Sequence, residues 1–333
     1  MPQTKTACLI ACSNGLGHLK RLMLLSIELE KIKIKSTIYA RTDDIEKICL
    51  SEEIAIQSEH IEFDTHTKIL DQINGDSFQW LSRIGDLSNY DFVISDNLLE
   101  ILEVRPDAWI LGSFFWHKVL RGFPEDIANK LNNLLIENQP KIISSGLFTS
   151  KYLQFNTRLF EVGLFSSPNN SIMKNYKDRK DLLISCGKTG ILDSQVRKFV
   201  SELAKLEQTP FDKVWVEPSL TPKNPPIWMK KAIFTPKMYQ EISAAIIRPG
   251  IGTVSSCIIN GVKIFTFYEE NNTEMIFNSE IIQKNHFGQN TSSIKLAWDN
   301  AVRFFLNQKT EDYFPFQELN INGAKESAKI IAS

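Results

Sequence analysis

The sequence predicts an α/β protein of two tandem doubly wound domains, each a parallel sheet between helices, both facing a cleft. Three observations predict it. Short apolar strands alternate with helical stretches from end to end, the pattern of βα units. A chain of 333 residues exceeds what a single core commonly holds, and typical domain sizes imply about two domains. Two glycine-rich turns, at 13–18 and 248–253, each follow an apolar strand and lead into a helical stretch, one in each half. Ligands of such sheets bind at the carboxyl ends of the strands, so the two edges define the expected site.

The first half carries strands at 7–12, 36–40, 91–95, 109–113 and 141–144. Helical stretches separate them, as at 19–31, where Leu22, Leu25 and Leu29 share a buried stripe. The pattern lapses between 161 and 180 into Ser166-Ser167-Pro168-Asn169-Asn170-Ser171 and a charged run at 174–180, which reads as a solvated linker. A second set then follows, with strands at 181–186, 213–216, 232–234, 244–247 and 263–267 and helices near 193–206 and 274–284. Helical stretches near 298–306 and 324–332 end the chain. The expected domains are 1–162, a linker at 163–180, and 181–316, with 317–333 packing back on the first.

Composition sets bounds. Hydrophobic residues at 43% and charged residues at 23% describe an ordinary globular chain. A net charge of −1 supplies no general field for nucleic acid or acidic lipid, so any anionic ligand must be held locally. The five cysteines lack CxxC spacing and read as reduced thiols. The start of the chain shows no signal-peptide pattern, and no apolar run reaches the length of a membrane span. A cytoplasmic protein is expected, with peripheral contact at the inner face of a membrane left open.

A glycine turn between strand and helix aims backbone N–H groups and the positive helix end at one spot, which suits a phosphate or diphosphate. Arg248-Pro249-Gly250-Ile251-Gly252-Thr253 is such a turn. The other, Asn14-Gly15-Leu16-Gly17-His18, lacks the third glycine of a dinucleotide fingerprint, where Lys20 stands, and the second strand ends in Arg41 instead of an acid. No Walker A sequence occurs. His18 opens a helix above the first strand, where a neutral imidazole accepts a proton; Asp96, ending another strand, is placed to orient it. Against that stands the plainer role of a packing histidine and a capping aspartate.

Trp116 and His117, in Phe114-Phe115-Trp116-His117, are candidates to line an acceptor site, with core packing as the alternative. Gly187, Lys188 and Thr189 follow the first strand of the second half, in reach of a diphosphate or forming a plain βα turn. Glu274 and Asn278 share a helix face and suit sugar hydroxyls, or merely cap and solvate the helix. His60, His66 and His286 have no metal-ligand spacing, and no metal or cofactor is expected.

These segments together resemble nucleotide-sugar glycosyltransferases of the GT-B fold, a pair of Rossmann-like domains, and particularly the family 28 type that includes the N-acetylglucosaminyltransferase of peptidoglycan synthesis. Asn14-Gly15-Leu16-Gly17-His18-Leu19-Lys20-Arg21 is similar to that family's G-x-G-H-x-x-R opening, and Arg248–Thr253, Gly261-Val262-Lys263, Glu274 and Asn278 are similar to its R-P-G-x-G-T…G-x-P…E-Q-x-x-N-A pattern. The resemblance implies that Gly250, Ile251, Gly252 and Thr253 bind a donor diphosphate, with Arg248 or Lys188 countering its charge. It implies further that Glu274 and Asn278 face the donor sugar, that 233–236 passes the base, and that His18 is the base or an acceptor-site residue beside Asn14, Gly15 and Gly17. Ser255-Ser256 stand where the family has a ribose-gripping Glu, Met275 replaces a Gln and Lys263 a Pro.

The activity implied is inverting, metal-independent hexosyl transfer from a nucleotide sugar, a UDP-sugar foremost, to a glycan or lipid-linked acceptor in surface-glycan or cell-envelope synthesis. Two alternatives stay open. The G-x-G-H opening also resembles the UDP-sugar hydrolase of pseudaminic acid biosynthesis, which uses water as acceptor, and a non-catalytic binding protein keeps the same fold.

Overall fold

The computed structural model describes residues 4–65, 78–167, 178–187, 192–307 and 319–333. The chain divides into two compact units, one of residues 1–50, 54–167 and 320–333, the other of 51–53 and 168–319. Each unit is an all-parallel sheet covered by helices, so the expected fold class is the observed one.

In the first unit the strands are β1 (Thr6–Ile10), β2 (Lys35–Ala40), β3 (Glu59–Glu62), β4 (Phe92–Asp96), β5 (Trp109–Leu111), β6 (Lys141–Ser145) and β7 (Arg158–Val162), ordered β3-β2-β1-β4-β5-β6-β7. Period-2 alternation sorts their side chains to two faces. Ala7 and Leu9 of β1 join Leu22, Leu25 and Leu29 of the helix Leu16–Lys31 in one core, while Cys8 and Ile10 join Trp80, Leu99 and Leu135 in the other. Each fully buried Leu contributes about 1.5–3 kcal/mol of apolar transfer.

The terminal helix Gly323–Ala332 adds Ala324, Ala328 and Ile331 to the first of these cores. Its approach is close. Leu164 N–H donates to Asn320 O at 2.8 Å and Gly163 N–H to Glu326 Oε2 at 2.9 Å, and a Cβ on Gly323 would strike the backbone carbonyl of Gly163.

The second unit has β8 (Asp181–Ser185), β9 (Val214–Val216), β10 (Met229–Lys231), β11 (Ile242–Ile247), β12 (Lys263–Thr266) and β13 (Gly288–Gln289), ordered β10-β9-β8-β11-β12-β13. The central strands β8 and β11 are buried along their whole length, as strands covered on both faces must be.

The departures lie at sheet edges. β3, β7 and β13 have no counterpart among the expected strands, and β10 replaces one expected at 232–234. Edge strands need only one apolar face, so Glu59-His60-Ile61-Glu62 and Met229-Lys230-Lys231 carry little hydrophobic signal. The backbone turns away at Phe234, whose φ of 54° is incompatible with a strand. Cys8, Cys12, Cys186 and Cys257 are buried free thiols, and Cys49 is a half-buried one. Among the described residues no helix is long and apolar enough to cross a membrane.

Candidate active site and donor turn

In both sheets the strand order reverses beside the first strand, between β1 and β4 and between β8 and β11. At such a switch point the loops leave in opposite directions and open a crevice beyond the strand ends. His18 and Asp96 lie at the first of these points, and Gly187, Arg248 and Gly250 at the second.

In the first unit, Gly15 is the N-cap of the helix Leu16–Lys31, and His18 stands in its first turn. Asp96 is the last residue of β4 and wholly buried. His18 Nδ1 lies 2.7 Å from Asp96 Oδ1. Arg21, one turn along the same helix, donates Nε–H to Asp96 Oδ2 at 3.1 Å and Nη2–H to Oδ1 at 2.7 Å.

Burial pushes the Asp96 carboxyl up, but the charges and hydrogen bonds of Arg21 and His18 outweigh it and hold the group below its ordinary 3.8. An ionised carboxylate only accepts, so the proton between it and His18 sits on Nδ1, and in the neutral imidazole Nε2 is then the acceptor. The Arg21 Nη2 to His18 Nδ1 contact of 3.3 Å joins two donors; it is close because both bond the same oxygen.

Trp116 stands next to this pair, its ring centroid 6.0 Å from that of His18, with Phe114 packed edge-on against it at 4.8 Å. His117 points elsewhere. It stacks on Phe115, meets Phe123 edge-on and donates Nε2–H to Asn132 Oδ1 at 3.1 Å, while burial drives its pKa down to about 4. His117 is therefore a neutral, buried residue packed among Phe115, Phe123 and Asn132. Asn14 holds the Cys12 thiol, and Gly17 is a helix residue.

In the second unit, β11 runs through Arg248 and Pro249 into the helix Ile251–Ile259, whose N-cap is Gly250. No side chain caps this helix, and a Cβ on Gly250 would meet nothing within 4 Å, so there is room beside the helix start. Ile251, Gly252 and Thr253 form the first turn.

Arg248 is held in an ion pair. It donates Nε–H to both oxygens of Glu269, at 3.0 and 3.2 Å, and Nη2–H to Oε1, with both side chains 8% exposed. Burial raises the Glu269 carboxyl, but Arg248 and Asn272 more than compensate and hold it below its ordinary 4.5. Asn272 links Glu269 to the helix Thr273–Lys284, since its Nδ2 donates to Glu269 Oε1 at 3.0 Å and its Oδ1 caps the N–H groups of Glu274 and Met275.

Asn278, buried on that helix, donates Nδ2–H to Pro249 O at 2.9 Å and to Glu274 Oε1 at 3.4 Å. Asn278 thus ties the turn to this helix, with Glu274 bonded beside it. Gly187, at φ 73°, donates its N–H to Glu217 at 3.0 Å. Lys188, Thr189 and His66 lie outside the described residues. No group of His, Cys, Asp or Glu among the described residues is arranged to hold a metal.

No protein-family model matches the chain, and no curated protein does. Solved structures do. The glycosyltransferase of kitacinnamycin superposes with a TM-score of 0.65 over 99% of both chains at 10% identity. UGT89C1 of Arabidopsis thaliana, complexed with UDP-L-rhamnose, gives 0.63 over 99% of this chain and all of the other at 11% identity. The calicheamicin glycosyltransferase CalG4 gives 0.59 over 99% and 98% at 14% identity. The chain has the GT-B fold.

The GT-B plan accounts for the backbone, and the side chains then show what the sequence concealed. Arg21 stood in the opening motif with no role assigned, although its i,i+3 spacing from His18 was the signal. Glu269 gave a weaker one, as an acid just beyond the strand next to that of Arg248. Glu100, 3% exposed and raised to about 8 by burial, gave none. Ser256, in the ribose-gripping position of the family pattern, is buried in this GT-B chain and donates Oγ–H to Gly252 O at 3.2 Å.

Proposed function

We propose that this GT-B chain is a glycosyltransferase that moves a sugar from a nucleotide-diphosphate donor, a UDP-sugar foremost, to an acceptor hydroxyl. The observation that carries the reading is His18, oriented through Nδ1 by Asp96, at the switch point of the first sheet. His18 Nε2 takes the acceptor proton as the acceptor oxygen attacks the anomeric carbon. Asp96 steadies the imidazolium that forms. The nucleotide diphosphate departs with the electron pair of the broken C–O bond, and the N–H groups at the Gly250 helix start receive the growing charge. A single displacement of this kind inverts the anomeric configuration. Arg248 contributes by fixing the turn through Glu269, not by meeting the phosphate.

Trp116 beside His18 suits the face of a sugar or a lipid-linked glycan acceptor. The relatives in fold include one complexed with UDP-L-rhamnose and one with thymidine diphosphate, so both nucleotide types belong in the test. A thermal-shift screen of UDP-, GDP-, CMP- and dTDP-sugars is expected to find a stabilising donor, worth about 2.7 kcal/mol at a hundredfold excess over Kd. Gly250→Trp removes that shift; His18→Ala keeps it but abolishes turnover. The reading fails if no sugar nucleotide stabilises the wild type, or if the Trp variant responds undiminished. Donor consumed without an acceptor, in a His18-dependent manner, assigns hydrolysis instead.

A further inference from the structure

Glu217, at the end of β9, has a carboxylate held in an unusual way. Ser185 Oγ–H donates to its Oε2 at 2.8 Å, and the backbone N–H groups of Cys186 and Gly187 donate to the same oxygen at 3.0 Å each. Three donors on one oxygen fix the rotamer of a half-buried side chain. The other oxygen meets only Ser219 Oγ, at a weak 3.4 Å, and keeps lone pairs for further donors.

The place of this carboxylate in the sheet suggests its use. Strands β9, β8 and β11 are neighbours in that order, and the Gly250 helix start follows β11. Glu217 therefore ends a strand two steps away from the donor turn along the same carboxyl edge, about 10 Å at the usual strand spacing. A nucleoside diphosphate with its phosphates on the helix start and its nucleoside laid along that edge toward β9 would bring its ribose within reach of Glu217. Ser256, a neutral hydroxyl already bonded to Gly252 O in its own helix, offers a ribose diol less than a carboxylate does.

We propose that Glu217 accepts the 2′- and 3′-hydroxyls of the donor ribose and so selects ribonucleotide over 2′-deoxyribonucleotide donors. This rests on the donor reading above. The competing role is that Glu217 fills, with its own charge, an N–H nest that a phosphate would otherwise occupy.

Binding of UDP, 2′-deoxy-UDP, GDP, 2′-deoxy-GDP and inorganic pyrophosphate, measured by calorimetry on wild type and Glu217→Gln, separates the two. The expected result is about tenfold tighter binding of the ribo than the deoxy form by wild type, a ratio that falls to near one in Glu217→Gln while pyrophosphate affinity stays unchanged. A wild type that binds both forms equally overturns the proposal whether or not the variant folds, and so does a folded variant that keeps the tenfold ratio. Tighter pyrophosphate binding by the variant overturns it in favour of the filled nest. Failure of wild type to bind any of the nucleoside diphosphates overturns the donor reading itself, and this proposal with it.

Discussion

Asp96→Asn is the sharpest perturbation of the first unit, because it removes one charge, leaves the shape and strands two partners. The carboxylate is wholly buried and takes three hydrogen bonds, two from Arg21 and one from His18. Removing one partner of a buried pair costs about 3–5 kcal/mol, and the oxygen kept by Asn places this case near 3 kcal/mol. For a unit of this size about 3 kcal/mol lowers Tm by about 6–12 °C. The carboxyl is held below its ordinary value, so its contribution is complete above about pH 4 and disappears as pH falls through the depressed folded value. Wild type and variant should thus differ by the full amount at pH 7 and converge in acid. Calorimetric melts from pH 7 down to pH 3 read this directly, and the same samples should lose turnover by about 10²–10⁴-fold with the donor-induced shift retained. A Tm within 1 °C of wild type at pH 7, or a difference that persists undiminished at pH 3, refutes an ionised Asp96 shared by Arg21 and His18.

Three further outcomes are expected. His18→Ala, at a side chain 14% exposed, should change Tm by less than about 1 kcal/mol equivalent while reducing kcat by about 10²–10⁴-fold, seen in a donor-release assay. Glu269→Gln leaves Arg248 unpaired in a buried place and should cost the second unit about 3 kcal/mol at pH 7; the loss narrows as pH falls below 4.5, where the unfolded chain takes up its proton, and vanishes through the depressed folded value, and equal melts at neutral pH would contradict it. Gly323→Ala drives a Cβ into the Gly163 carbonyl and should destabilise the first unit by about 1–3 kcal/mol in urea unfolding, whereas Gly122→Ala, where a Cβ meets no atom, costs only what its φ of 79° imposes.

The central strands were legible because burial on both faces writes a continuous apolar run: Ala244-Ala245-Ile246-Ile247 announces itself. Edge strands such as Glu59–Glu62 were not, since most of their surface faces water. The two glycine turns were legible for a local reason, the need for backbone without side chains where strand passes into helix. Contacts between distant segments were another matter. His117 looked as eligible as Trp116 in sequence, yet adjacent residues leave the chain in different directions, and one meets His18 while the other meets Asn132.

By itself the sequence determined the alternation of strand and helix, the two sheets and the positions of their glycine turns, because each of these rests on periodicity or conformational freedom within a few residues. The tertiary structure alone decided the partners. Strand order puts Asp96 beside His18 across 78 residues, pairs Arg248 with Glu269, and ties Asn278 to the Pro249 carbonyl. Which charges meet depends on which strand ends are neighbours, and that is set by the packing of the whole sheet.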